Sequence, residues 1–167
     1  MRTLLLVLTG LFFLLHPMLV AAVQETTTVV LMPTGDREGD ASGEAMVTIS
    51  DENNDPDQRT LVVRVRIDKV RGGRHATHIH EGFCPPPVGP SPDQQGNIVL
   101  DLNDTIAGPF PTVTVLRTTD LPTRPGGIQS FDELLDPTRN FYINVHLLPS
   151  VAPISGPGQV CGRLEFP

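Results

Sequence analysis

The chain has 167 residues, nineteen acidic against twelve basic side chains, a net charge of −7 and only two cysteines. The clustered basic charge of a nucleic-acid binder is absent, since Lys69 is the single lysine and arginine supplies the rest. Seventeen prolines and fifteen glycines are many, yet short of the roughly 25–30% that marks a disordered chain, and they punctuate short apolar runs as an all-β chain does.

Met1-Arg2, an apolar run from Leu4 to Leu15, His16-Pro17 and the small residues Ala21-Ala22 have the order of a secretory signal, residues 1–22, cleaved after Ala22. An uncleaved anchor is the alternative, because Thr3 to Val23 is long enough to cross a bilayer. Pro17 and the Ala-Ala exit favour cleavage. Residues 23–167 then make one domain with a sizeable core. The expected product is secreted or periplasmic, has no membrane span, and carries −8 once Arg2 is lost. Two cysteines in an exported chain most simply form one disulfide, Cys84 to Cys161, with two free thiols as the alternative.

Thr27 to Met32 is a β-branched and apolar run ended by Pro33-Thr34-Gly35, and a polar connection follows over Asp36 to Gly43. Glu44 to Ser50 alternates, with Ala45, Val47 and Ile49 on one side and Met46 and Thr48 on the other. Asp51 to Gln58 reads as an acidic turn. In the next strand Leu61, Val63, Val65 and Ile67 face inward while Arg64, Arg66 and Asp68 face outward. A turn at Arg71-Gly72-Gly73 leads into the strand His75-Ala76-Thr77-His78-Ile79-His80-Glu81. A proline loop from Pro85 to Pro92 follows Cys84. Asn97 to Leu102 and Thr112 to Leu116 are strands, and Thr118 to Gln129 is a long loop. Ser130 to Leu135 has a capping-box pattern for one short helical turn stopped by Pro137. Phe141 to Leu147 has Phe141, Ile143 and Val145 on one face and Tyr142, Asn144 and His146 on the other. In the last strand, Gln159 to Phe166, Val160, Leu164 and Phe166 face inward and Cys161 and Arg163 outward. Eight strands with long loops and no repeat predict an antiparallel Greek-key sandwich or barrel.

Three of the five histidines fall between His75 and His80. Side chains two apart leave the same face of a strand, so His78 and His80 lie together, with Ala76, and opposite His75, Thr77 and Ile79. Neutral imidazole is the commonest metal ligand. With His146, two strands offer three outward imidazoles, the number that a catalytic or electron-transfer metal site commonly uses. His146 as a polar residue on a solvated face is the plain alternative. For His75 the preferred reading is a core histidine holding a backbone carbonyl.

The segment His75-Ala76-Thr77-His78-Ile79-His80-Glu81 resembles the His-x-x-His-x-His strand of copper/zinc superoxide dismutases. The resemblance implies that His78 and His80 bind copper and that His75 is structural. The hairpin Val29 to Ser50 and the strand Leu61 to Val70 are similar to that family in order and spacing. Val145-His146 resembles the strand with its final copper histidine, and Val160-Cys161-Gly162 its disulfide-bearing last strand. Tyr142-Ile143-Asn144-Val145-His146 and Gly162-Arg163-Leu164 also resemble the CHRD domain, a module related to that fold. Together the resemblances cover most of residues 23–167 and imply an eight-stranded barrel of the dismutase type.

The departures are specific. No histidine lies between His80 and His146, where the dismutases place a bridging ligand and two zinc histidines, so zinc is not expected. The anion-guiding arginine, three residues before the last cysteine, is replaced by Gly158; Arg163, Arg139 and Arg124 are the remaining candidates to stand in for it. Copper on His78, His80 and His146 is expected, since three imidazoles suit both copper oxidation states. Dismutation of superoxide would need local arginines to focus an anion onto a negative protein, and water or Glu81 to supply protons. The competing class is a non-catalytic extracytoplasmic CHRD-type module, structural or copper-storing. Zinc hydrolysis has no general base beyond Glu81.

Overall fold

The computed structural model describes residues 24–34, 41–52, 55–70, 72–84, 96–108, 112–121, 125–146 and 158–167. The expected signal, the proline loop at 85–92, Arg71 and Arg124 lie outside the described residues, as does Leu147 at the end of its strand. Among the described residues no helix is long and apolar enough to cross a membrane.

Eight strands form: β1 (Gln24–Pro33), β2 (Ser42–Glu52), β3 (Asp55–Asp68), β4 (Gly73–Glu81), β5 (Ile98–Ala107), β6 (Thr112–Thr118), β7 (Phe141–His146) and β8 (Gly158–Leu164). All pairings are antiparallel, in the order β5-β4-β7-β8-β1-β2-β3-β6. Pairing of β3 with β6 and of β4 with β7 skips intervening strands, which is a Greek-key path. The two end strands approach one another, and Ile106 N–H donates to Thr114 Oγ1 at 2.9 Å across the seam. The result is a nearly closed antiparallel barrel with almost no helix.

The alternation explains why this sheet closes on itself. Ala45, Val47 and Ile49 on β2 and Leu61, Val63, Val65 and Ile67 on β3 point into the barrel, and all are buried. Ile79 of β4 faces them from the other half with Ile143 and Val145 of β7, in register Ile79 to Ile143 and Thr77 to Val145. β1 joins the halves, pairing with β2 along most of its length and with β8 at Met32 to Cys161 and Pro33 to Val160.

Two expectations are corrected. The acidic segment 51–58 is mostly strand, because β2 runs to Glu52 and β3 starts at Asp55. Strand β5 extends five residues beyond Leu102, to Ala107, with a register shift where its partner passes from His75 to Thr77. Cys161, expected to face outward with Arg163, is fully buried and bonded to Cys84, while Arg163 is exposed.

A 3-10 turn, Phe131–Leu135, packs Phe131 and Leu134 into the core. The Glu133 carboxylate accepts from Gln129 N–H at 2.6 Å and from Ser130 N–H at 3.3 Å. Those donors, the Gln129 amide first and the Arg139 guanidinium after it, hold the Glu133 carboxyl below its usual range. Arg139 also pairs with Glu81 at 2.9 Å and lies over the Phe141 ring at 4.8 Å. Gly82 N–H donates to Asn140 O at 2.8 Å. These contacts tie the end of β4 to the start of β7, the two strands that carry the histidines.

Candidate metal centre

Ladder register brings the histidines together. On the outer face of the sheet His78 stands beside Asn144, His80 beside Tyr142, and Cys161 beside Asn144 on the other flank. In its pairing with β8, β7 shifts register between Val145 and His146, at the strand end that carries the third imidazole. His78, His80 and His146 offer nitrogens that all lie within 4.8 Å of one another. Ring centroids are 4.8 Å apart for His78 and His146, and 5.7 Å apart for each ring with His80. His78 Nδ1 is 3.1 Å from His146 Nε2.

The alternation places these rings on a face away from the barrel core, and a solvated face is the plain alternative for His146. The face is not solvated: His78, His80 and His146 are 4%, 1% and 2% exposed, and Tyr142 and Asn144 beside them are fully buried. Strand β7 is buried on both faces. Part of the cover is the stretch leading into β5. Gly96 O accepts from His80 Nδ1–H at 2.7 Å, and Gly96 N–H donates to the Tyr142 hydroxyl at 3.1 Å. The Tyr142 ring stacks on His80 at 5.0 Å with an interplanar angle of 18°. Burial pushes the Tyr142 phenol above its ordinary pKa, and the Gly96 amide partly offsets this.

His75 lies apart from the three. Its Nδ1–H donates to the backbone oxygen of His146 at 2.9 Å, at the register shift between β7 and β8. Replacing His75 with leucine removes this donor from a buried carbonyl, and the expected cost is about 1–3 kcal/mol. A urea titration checks this as a lowered midpoint at unchanged slope.

Four neighbours were not found from the sequence: Gly96, Asp101, Tyr142 and Asn144. Asn144 Nδ2 is 3.4 Å from His146 Nε2, and Asp101 Oδ1 is 3.4 Å from His78 Nε2. Tyr142 and Asn144 share a strand face with His146, so periodicity held a signal for them. Gly96 and Asp101 reach the site only through pairing of β5 with β4, which no local pattern shows.

The donor set fits a metal ion. Two imidazole nitrogens that share an ion at about 2.0–2.1 Å stand at most about 4.2 Å apart. The closest pair satisfies this, and the bound of 4.8 Å on the widest separation exceeds it by about 0.6 Å, which the rings would close by drawing in around an ion.

The CHRD domain family matches residues 20–148. The chain belongs to this family. The matched stretch of this CHRD domain holds β1 to β7, all three clustered histidines and Cys84, and it ends before β8 and Cys161. Neither the curated proteins nor the solved structures contain a match. The membership found is therefore CHRD, and no comparison supports assignment to the copper/zinc superoxide dismutases.

Proposed function

We propose that this is an exported, non-catalytic CHRD module that holds one metal ion, copper, on His78, His80 and His146. The observation that carries this reading is the buried convergence of three imidazoles from two adjacent strands. Imidazole nitrogens held this close on two paired strands are the donor type and number that a transition-metal site uses. Imidazole donors suit several transition metals, and among divalent ions such nitrogen sites favour copper. When bound, copper supplies a redox-capable ion; His75 holds the backbone of His146, and Gly96 with Tyr142 orients His80. Export accords with family membership and with the Cys84–Cys161 disulfide, a bond kept in oxidising compartments.

Two observations favour holding over turnover. Of the arginines considered for guiding an anion, the two among the described residues are engaged elsewhere: Arg139 with Glu81 and Glu133, Arg163 with Glu165 at 2.8 Å. Glu81, considered as a proton source, pairs with Arg139 and belongs to the strand-end junction. Dismutation of superoxide remains the second reading, and its support is the redox character of copper on three imidazoles.

The test is elemental analysis after exposure to equal copper and zinc followed by desalting. One copper per wild-type chain, lost in His78→Ala and in His146→Ala, is the expected result. No retained metal in the wild-type chain would remove the metal reading. Superoxide removal faster than free buffer by the copper-loaded chain would replace holding with turnover.

A further inference from the structure

His78 and His80 leave the same strand face two residues apart, yet they turn different ring nitrogens toward the cluster. His78 aims Nδ1 at His146, 3.1 Å away, whereas His80 has Nδ1 committed to Gly96 O and offers Nε2. A neutral imidazole has one N–H and one lone pair, so the partner of one nitrogen decides what the other can offer. For His80 that partner is a backbone carbonyl, which only accepts and so keeps the proton on Nδ1. For His78 the outer nitrogen is Nε2, and it faces Asp101 Oδ1 at 3.4 Å.

An ionised carboxylate likewise only accepts. Asp101 therefore favours the His78 form with its proton on Nε2, and with the Nδ1 lone pair aimed at His146 and His80. At 3.4 Å the contact is longer than an N–H···O bond, so the carboxylate acts on the ring through its charge. The ladder makes the contact, since His78 and Asp101 are direct partners across β4 and β5. The two ring supports differ in kind. That of His80 is main chain and half-buried, while that of His78 is a side chain, 57% exposed.

Resting on the metal reading above, we propose that Asp101 is a positioning residue of the metal centre, acting through His78 to set which nitrogen faces the ion. Outer partners of metal-bound histidines typically contribute 10–100-fold in affinity. Asp101 does not join the ion, because it sits on the ring nitrogen that points away from the cluster.

The experiment uses the full chain with Asp101→Leu and Asp101→Asn. The ring nitrogens are followed by NMR in metal-free protein, with His78 assigned by its loss in His78→Gln. Copper dissociation constants come from competition with a chelator. In Asp101→Leu the His78 nitrogens are expected to average between forms, His80 stays as in wild type, and copper binds about 10–100-fold more weakly. Asp101→Asn falls between, because its side-chain carbonyl carries only a partial negative charge. Unchanged His78 signals in Asp101→Leu, or a wild-type dissociation constant, overturns the proposal. A wild-type chain that takes up no copper removes the metal reading instead, and the His78 signals then decide by themselves whether Asp101 sets the ring.

Discussion

Replacing Cys84 and Cys161 together with serine is expected to lower the unfolding free energy by about 4–5 kcal/mol. The bond joins residues 77 apart in sequence and so closes a loop comprising roughly half of the residues in the domain. The unfolded chain gains most of the freedom that its removal releases. Domains commonly have only about 5–15 kcal/mol of net stability, so the doubly substituted protein would sit near its unfolding threshold. Guanidinium titrations of the variant and of wild type in reductant check this, and the two curves should coincide. A loss under about 1 kcal/mol would show that the unfolded chain is already constrained by other means.

Gly96→Ala is expected to damage fold and site together. A Cβ at this position would overlap the Glu81 carbonyl oxygen, and main chain cannot step aside as a flexible side chain can. Glu81 N–H donates to Asn97 O at 2.9 Å, so the two segments are pinned where the clash falls. Relief must come from moving Gly96, which breaks its bonds to His80 and to Tyr142. Overpacking costs about 1–3 kcal/mol, and each broken hydrogen bond adds about 1 kcal/mol. A loss of about 3–5 kcal/mol should appear in a denaturant titration, with copper retention gone. Tyr142→Phe is the control. It removes the hydroxyl while keeping the ring stack, with an expected cost near 1 kcal/mol and copper retained. Equal damage from both would place the effect in the Tyr142 hydroxyl and not in the close approach.

Much of this was legible in the amino-acid sequence, for a physical reason. Alternation has a period of two, so it assigned the faces of β2, β3, β4 and β7 correctly, including His78 and His80 apart from Ile79. It cannot say whether the second face of a strand is wet. That depends on what folds over it, and at β7 part of the answer is Gly96, 46 residues before Tyr142 in the chain. For the same reason alternation put Cys161 on the outward face without showing that it is buried there. The segment 51–58 looked like a turn because its acidic residues and proline are poor strand formers, yet pairing with a neighbouring strand overrides such weak preferences. Asp101 carried no local mark, and became visible once β5 lay beside β4.

The seam between β5 and β6 bears on how the centre behaves in time. Strands β4 and β7 have a partner on each side, so their amides should open only with most of the domain. Strand β5 is laddered on one side alone, to β4, and meets β6 through few contacts. The His146 ring thus has its neighbours on β4 and β7, while the partner of His80 lies just before the edge strand and that of His78 lies on it. Exchange of a bound ion would then follow the local opening of one edge strand rather than global unfolding, so that residence time and thermal stability could be altered independently.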